Sequence, residues 1–252
     1  MNHSLGDNRF SPKTIGLIGG LSWQSTALYY RQINETVHEC LGALHSAKML
    51  LYSVDFQEIE TLQRAGDWSA AGERLAEAAK RLAAGGADFL LLASNTMHKV
   101  APAIEAATPL PLLHIADPTA AAIRRAGLTT IGLLGTRFTL EERFYRQRLS
   151  DRHGLQVLLP SPDERTLVHR VIYEELCQGR FTEASRAEFR QVIAGLVSAG
   201  AEGIILGCTE IALLVDASDA AVPLFDTSRL HAIAAVDLAL ADTILPPDRR
   251  TP

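Results

Sequence analysis

The second half of this chain repeats the first. Thr14-Ile-Gly-Leu-Ile-Gly-Gly20 is answered by Thr130-Ile-Gly-Leu-Leu-Gly-Thr136 at an offset of 116 residues. Ala87-Asp-Phe-Leu-Leu-Leu-Ala-Ser94-Asn-Thr is answered by Ala201-Glu-Gly-Ile-Ile-Leu-Gly-Cys208-Thr-Glu at an offset of 114, with a glycine (Gly86, Gly200) before each copy. A third pair, Ile115-Ala-Asp117-Pro-Thr119 and Leu224-Phe-Asp226-Thr-Ser228, lies 109 residues apart. A period this long points to a duplicated lobe rather than to a solenoid of short repeats. Within each copy, short apolar runs that end in glycine or a polar turn alternate with helical patterns, which is the signature of a parallel sheet covered on both faces.

The first copy reads as strand Thr14–Gly20, helix Ser25–Leu41, strand Met49–Val54, a long helix Ser69–Ala84 and strand Ala87–Ala93. Strand Leu110–Ala116 and helix Ala120–Ala126 follow. The expected fold is therefore α/β, with two similar lobes related by a pseudo-two-fold, each a four-stranded parallel sheet flanked by helices. The first lobe takes residues 1–115 and 229–252, and the second takes 116–228. No linker rich in Pro, Gly or Ser divides them; only residues 1–12 and the tail at Pro246-Pro247 look loose. Ser161–Arg165, leading into a helix Leu167–Cys177, has no evident counterpart in the first half and is expected to be an insertion over the cleft. Ligands of parallel sheets sit beyond the carboxyl ends of the strands, so two facing lobes place the turns at Gly19-Gly20, Ser94, Thr136 and Cys208 around one cleft.

Composition excludes several classes. The chain has 252 residues, 47% of them hydrophobic and 21% charged, enough to bury a sizeable core. No apolar run reaches the 18 or so residues a membrane helix needs. The N-terminal sequence lacks the charged-then-apolar order of a secretory leader, and three scattered cysteines make no disulfide framework, so a cytoplasmic protein with reduced thiols is expected. A formal charge of −5 and no Lys/Arg cluster longer than a pair argue against nucleic acid as a partner and for a small polar ligand.

The chemistry-bearing residues sit at the strand ends. Gly16-Leu-Ile-Gly19-Gly20 does not have the spacing of a dinucleotide fingerprint. Two roles are open to these glycines, a tight strand-to-helix turn or backbone N–H groups that face a carboxylate. Cys40 and Cys177 fall inside helical patterns, where free cysteines pack as small hydrophobes. Cys208 differs: it ends a strand where a helix N-terminus lowers a thiol pKa from about 8.5. Its counterpart in the repeat is Ser94, so two proton-carrying side chains are expected to approach one ligand from opposite sides. That arrangement suits inversion of a stereocentre, in which one group removes a proton and another delivers one to the opposite face. His98, four residues beyond Ser94, either packs locally or assists its hydroxyl. Glu210 is either a solvated first-turn acid or a group behind Cys208. Thr209 can cap a helix or contact the ligand. Lys48 and Arg137 are the nearest sequence candidates to pair with a distal carboxylate. His45, His98, His114, His169 and His231 share no metal-ligand spacing.

The set Gly-Leu-Ile-Gly-Gly20, Ser94-Asn-Thr-Met-His98 and Gly207-Cys-Thr-Glu210, in that order over roughly residues 13–243, resembles the aspartate/glutamate racemase family. The resemblance implies an amino-acid racemase that uses neither pyridoxal phosphate nor any other cofactor, with a tendency to form homodimers. It places the two catalytic positions on Cys208 and Ser94, although most relatives have cysteine at both. It implies substrate contacts from Gly19, Gly20, Asn95, Thr96, Thr136, Thr139, Tyr173 and Thr209. Cys177 stands where some aspartate racemases carry a lysine for the side-chain carboxylate. The expected activity is racemisation of aspartate or glutamate. The alternatives are a decarboxylase or isomerase of the same superfamily working with the single thiol, and a two-lobed binding protein.

Overall fold

Two separate four-stranded sheets, both wholly parallel, carry the same strand order. In the first, β1 (Ile15–Gly19) lies between β2 (Met49–Ser53) and β3 (Phe89–Leu92), with β4 (Leu112–Leu113) beside β3. In the second, β5 (Thr130–Gly135) lies between β6 (Gln156–Leu158) and β7 (Ile204–Gly207), with β8 (Leu224–Asp226) beside β7. The structure, a computed structural model, describes residues 11–241. The tail at Pro246-Pro247 and most of the segment 1–12 lie outside the described residues. Every residue of β1, β3 and β7 is buried, which is why these strands read as unbroken apolar runs instead of alternating patterns.

The helices are α1 (Trp23–Leu41), α2 (Phe56–Ala65), α3 (Trp68–Ala84), α4 (Ala101–Ala107), α5 (Ala116–Arg125), α6 (Arg137–Glu141), α7 (Arg143–Gln147), α8 (Pro162–Glu174), α9 (Glu183–Ser198), α10 (Ile211–Leu214) and α11 (Thr227–Leu240). One face of the first sheet is covered by α3 through Leu75, Ala79 and Leu82. Its other face is covered by α1, whose Tyr29, Ile33 and Val37 pack with Ala232, Ala235 and Val236 of α11. In the second sheet, α8 and α9 cover one face with Val168, Ile172, Phe189 and Ile193. On the other face Ala120 and Ile123 of α5 meet Ile131, Leu133 and Tyr145. The helix after the last strand of each sheet thus packs on the other lobe. This exchange ties the lobes together through apolar burial, each fully buried Leu or Ile contributing about 1.5–3 kcal/mol.

The structure departs from the sequence reading at three places. Helix α2 was not anticipated; Asp55, which closes the strand pattern, is its N-cap, its side chain accepting from the Gln57 N–H at 3.0 Å. Helix α5 starts at Ala116, because Pro118 falls in the first turn, where a missing N–H costs no hydrogen bond. Ser161–Arg165 is not an insertion over the cleft. Ser161 and Glu164 form a capping box at the start of α8, and Glu164 lies near Gly195, toward the far end of α9. It is the other end of α8 that borders the cleft, since the Arg137 N–H, just past β5, donates to His169 Nδ1 at 3.3 Å. The connection β6–α8–α9–β7 is the counterpart of β2–α2–α3–β3.

Candidate active site

Each turn at a strand end delivers a specific group to the space between the lobes. After β1, Gly20 adopts φ +85°, and a β-carbon there would overlap the Val54 carbonyl, so glycine is required for the turn itself. Its N–H donates to Thr26 Oγ1 at 2.7 Å, and the Gly19 carbonyl accepts from the Val54 N–H at 3.0 Å. The Gly20 N–H and the Gly19 carbonyl are thus engaged inside the turn, and neither glycine borders the pocket between the lobes.

Ser94 follows β3 and Cys208 follows β7, one from each lobe, and both border the same narrow pocket of about 30 Å³. Asn95, Thr96, Thr136, Thr209 and Glu210 complete its polar lining. Thr139 does not border it but supports it from behind, its Oγ1 lying 3.3 Å from both Thr96 Oγ1 and Thr136 Oγ1. Asn95 is buried, and its Nδ2 donates to Thr227 Oγ1 at 2.9 Å. Its Oδ1 is buried without a hydrogen-bond partner, which leaves an acceptor for an incoming donor.

The thiol of Cys208 is not isolated. It donates to Glu210 Oε2 at 2.9 Å, Thr209 Oγ1 donates to the same oxygen at 2.7 Å, and Ser22 Oγ of the other lobe donates to Glu210 Oε1 at 2.5 Å. Glu210 is only 2% exposed, so it is no solvated first-turn acid; it is a buried carboxylate held by three hydroxyl or thiol donors. The expectation of a thiol acidified by a helix N-terminus is reversed. The following helix has four residues, while burial and then the Glu210 carboxylate push the Cys208 thiol well above its ordinary value. The proton stays on sulfur, with an acceptor beside it.

The Ser94 side is built differently. Ser94 Oγ accepts a long bond from the Met97 N–H at 3.3 Å, and among the described residues no carboxylate pairs with it. His98 is not a proton partner for that hydroxyl. Its Nδ1 meets the Ser94 carbonyl at 2.6 Å and its Nε2 accepts from the Ile115 N–H at 3.2 Å, so both ring nitrogens are committed to backbone. Burial, then the neighbouring His114 and His231, push its pKa well below the usual histidine range and keep it neutral. The offset of 114 puts Thr96 where the second lobe has Glu210. Thr96 Oγ1 bonds across the lobes to Thr136 Oγ1 at 2.9 Å, mirroring the Ser22–Glu210 contact with hydroxyls alone.

Phe56, Gln63, Tyr173 and Cys177 border both this pocket and an outer cleft of about 730 Å³. The Tyr173 hydroxyl donates to Gln63 Oε1 at 3.0 Å, closing the wall from both lobes. Cys177 packs half-buried against the core of the second lobe, in a short turn after α8, and also borders both spaces. Gln63, Ser22 and Phe56 were not found by sequence reasoning. Ser22 carried a signal as the N-cap before α1, whereas Gln63 and Phe56 sit on the unanticipated α2. Of the two cations considered for a distal carboxylate, Lys48 is at the amino end of β2, its carbonyl accepting from the Ile15 N–H at 2.9 Å, and so at the wrong end of the sheet. Arg137 borders only the outer cleft, with its guanidinium 5.7 Å from the Phe138 ring. Among the described residues, no three His, Cys, Asp or Glu side chains group as metal ligands, and no helix is long and apolar enough to cross a membrane.

Similarities to known proteins point to one family. The family model described as Asp/Glu/Hydantoin racemase matches residues 18–235. The broad specificity amino-acid racemase RacX of Bacillus subtilis (strain 168) is 24% identical over 230 residues, covering 90% of this chain and 98% of the relative. The crystal structure of a candidate Asp/Glu racemase from Yersinia pestis is 56% identical with a TM-score of 0.85, covering 90% of this chain and 99% of that one. An aspartate racemase homologue from Pyrococcus horikoshii OT3 is 32% identical with a TM-score of 0.78 over the same shares, 90% and 99%.

Proposed function

Because the chain belongs to the Asp/Glu/hydantoin racemase family, we propose that it is an amino-acid racemase working without pyridoxal phosphate, in which Cys208 and Ser94 exchange protons with opposite faces of the α-carbon. The observation that carries this reading is the convergence of these two side chains, from different lobes, on one small pocket. In one direction Cys208 passes its proton to Glu210, and the thiolate then takes the α-proton. The C–H bond breaks on the Cys208 face, and the electron pair delocalises into the α-carboxylate. The Ser94 hydroxyl forms the new C–H bond on the other face; its oxygen is reprotonated from water, and the hydroxide so left takes the proton that Glu210 received, which restores the carboxylate and the water. The return direction runs the same transfers in reverse. Asn95 Oδ1, the unpartnered buried acceptor, takes the substrate ammonium. The hydroxyls of Thr96, Thr136 and Thr209 and nearby backbone N–H groups hold the α-carboxylate. Such positioning, with general acid–base help of about 10²–10⁴-fold per group, supplies the acceleration.

The test is incubation of single L-amino acids with the purified protein in D₂O, followed by chiral chromatography and mass analysis. Deuterated D-isomer should accumulate, and Cys208→Ser should abolish it. Wild-type protein that neither exchanges nor inverts the α-centre of any amino acid would sink the reading, as would full turnover by Cys208→Ser.

A further inference from the structure

A racemase of diacids has to hold two carboxylates, and this pocket is equipped for one. Its hydroxyls, amide and backbone serve the groups on the α-carbon. Its only formal charge is that of Glu210, which is negative. The far wall, where a side chain would extend, is made by Phe56, Gln63, Tyr173 and Cys177, all neutral. Glu210 makes itself felt there: after burial, its charge is the next cause that raises the Cys177 thiol above its ordinary range, and it adds a smaller share, behind Cys208, Cys177 and Glu60, to the raised Tyr173 hydroxyl. A distal carboxylate placed against this wall meets repulsion with no counter-ion.

The outer cleft does not compensate. Arg64 is bound to Glu60 at 2.6 Å, and Arg137 borders this outer cleft but not the inner pocket, its guanidinium 5.7 Å from the Phe138 ring. His169 is held below its ordinary pKa by burial and then by Arg137, so it adds no positive charge near neutrality. The cleft instead carries a run of rings that crosses from one lobe to the other. Trp68 meets Phe138 edge-on at 5.1 Å, Phe138 meets His169 at 6.0 Å, and His169 meets Tyr173 at 4.7 Å. Apolar and thioether groups gain from such rings, whereas a hydrated carboxylate loses.

Resting on the racemase reading above, we propose that the preferred substrate is an amino acid with a neutral, extended side chain of the methionine type, directed between Gln63, Tyr173 and Cys177 toward the aromatic cleft, in preference to aspartate or glutamate.

The experiment compares α-proton exchange in D₂O for L-methionine, L-aspartate, L-glutamate and L-lysine with the full-length protein. A kcat/KM for methionine at least tenfold above those of the other three is expected. Aspartate, glutamate or lysine matching or exceeding methionine overturns the substrate proposal while leaving a racemase. Exchange with none of a full set of amino acids removes the racemase reading and the substrate proposal together. In Cys177→Lys, a cation enters the wall, and aspartate should gain tenfold or more in kcat/KM, mainly through KM, while methionine loses. No gain for aspartate in a folded Cys177→Lys protein also overturns the proposal, because the side chain would then not lie against this wall.

Discussion

Replacing Glu210 with glutamine isolates the effect of its charge on Cys208. The carboxylate oxygen lies 2.9 Å from Sγ, and both groups are buried. Two unit charges 4 Å apart interact by about 4 kcal/mol at an effective dielectric near 20. Burial and then this carboxylate hold the thiol pKa up, so removing the negative neighbour lowers it. The sign follows from the charge: the carboxylate disfavours the thiolate, and glutamine does not. The assay is the pH dependence of iodoacetamide alkylation at Cys208, read by peptide mass spectrometry so that Cys40 and Cys177 do not confuse it. The alkylation midpoint should move down in Glu210→Gln. Turnover should nevertheless fall by about 10²–10⁴, since the group that accepts the thiol proton inside the closed pocket is gone. More thiolate with less catalysis is the signature of a proton acceptor. A midpoint that stays put or rises would show that the Sγ–Oε2 contact does not operate in solution. Turnover that rises with the thiolate fraction would show that Glu210 only restrains the thiol.

Two further outcomes are expected. Ser94→Cys replaces a weakly acidic hydroxyl by a thiol whose ordinary pKa is about 8.5, and kcat/KM should increase up to about 10²-fold. The increase must be equal for the two enantiomers, whose free energies are the same; an unchanged or lower rate in a folded variant refutes the idea that Ser94 limits the reaction. Thermal stability should fall on acidification below about pH 6.5, where the unfolded histidines begin to protonate. His98, His114 and His231 are buried and neutral, their folded pKa values depressed chiefly by burial, to about 2 for His114 and about 4 for His231. Their contribution is thus complete above the unfolded pKa and is lost as pH drops toward the folded values, at about 1.4 kcal/mol per pH unit for each group. Melting curves from pH 7.5 to 4.5 should show this loss, and His231→Asn should make the slope shallower; identical slopes would contradict it.

The repeat made the two-lobed architecture legible because fully buried parallel strands are short apolar runs that survive duplication as recognisable words. The helices were read less well. Helix α2 escaped because Val54-Asp55 joins strand to cap with no intervening loop, and its buried face is small, with Ile59 and Gln63 the buried residues. Ser94 and Cys208 were visible as the paired strand ends of the repeat. The state of the thiol was not, because burial and the direction of the Glu210 side chain are tertiary facts: a Cys-Thr-Glu run is equally compatible with a carboxylate turned to solvent. The same holds for Gly19-Gly20, where only the observed Gly20–Thr26 bond reveals that the Gly20 N–H is engaged inside the turn. The wall made by Gln63 and Tyr173 joins residues 110 positions apart and leaves no local signal.

The duplication has diverged in a coordinated way. Where one half has a thiol, its next neighbour but one is a carboxylate, and the opposite lobe supplies Ser22 to hold that carboxylate. Where the other half has a hydroxyl, the equivalent neighbour is Thr96, and the opposite lobe supplies Thr136 and Thr139. Those two threonines are already placed to donate to a carboxylate at position 96, so the donor set for a second acid is present without the acid. The double variant Ser94→Cys with Thr96→Glu should then complete the symmetry and exceed Ser94→Cys alone in turnover. The larger side chain in a narrow pocket brings an overpacking cost of about 1–3 kcal/mol. In a domain of this size that cost is a fall in Tm of about 2–4 °C per kcal/mol, read separately from the kinetics. A double variant that is folded but no faster than the single one would mean that the Ser94 half is not the catalytic counterpart of the Cys208 half. The hydroxyl at position 94 would then be serving the ligand as a contact and not as a carrier of its proton.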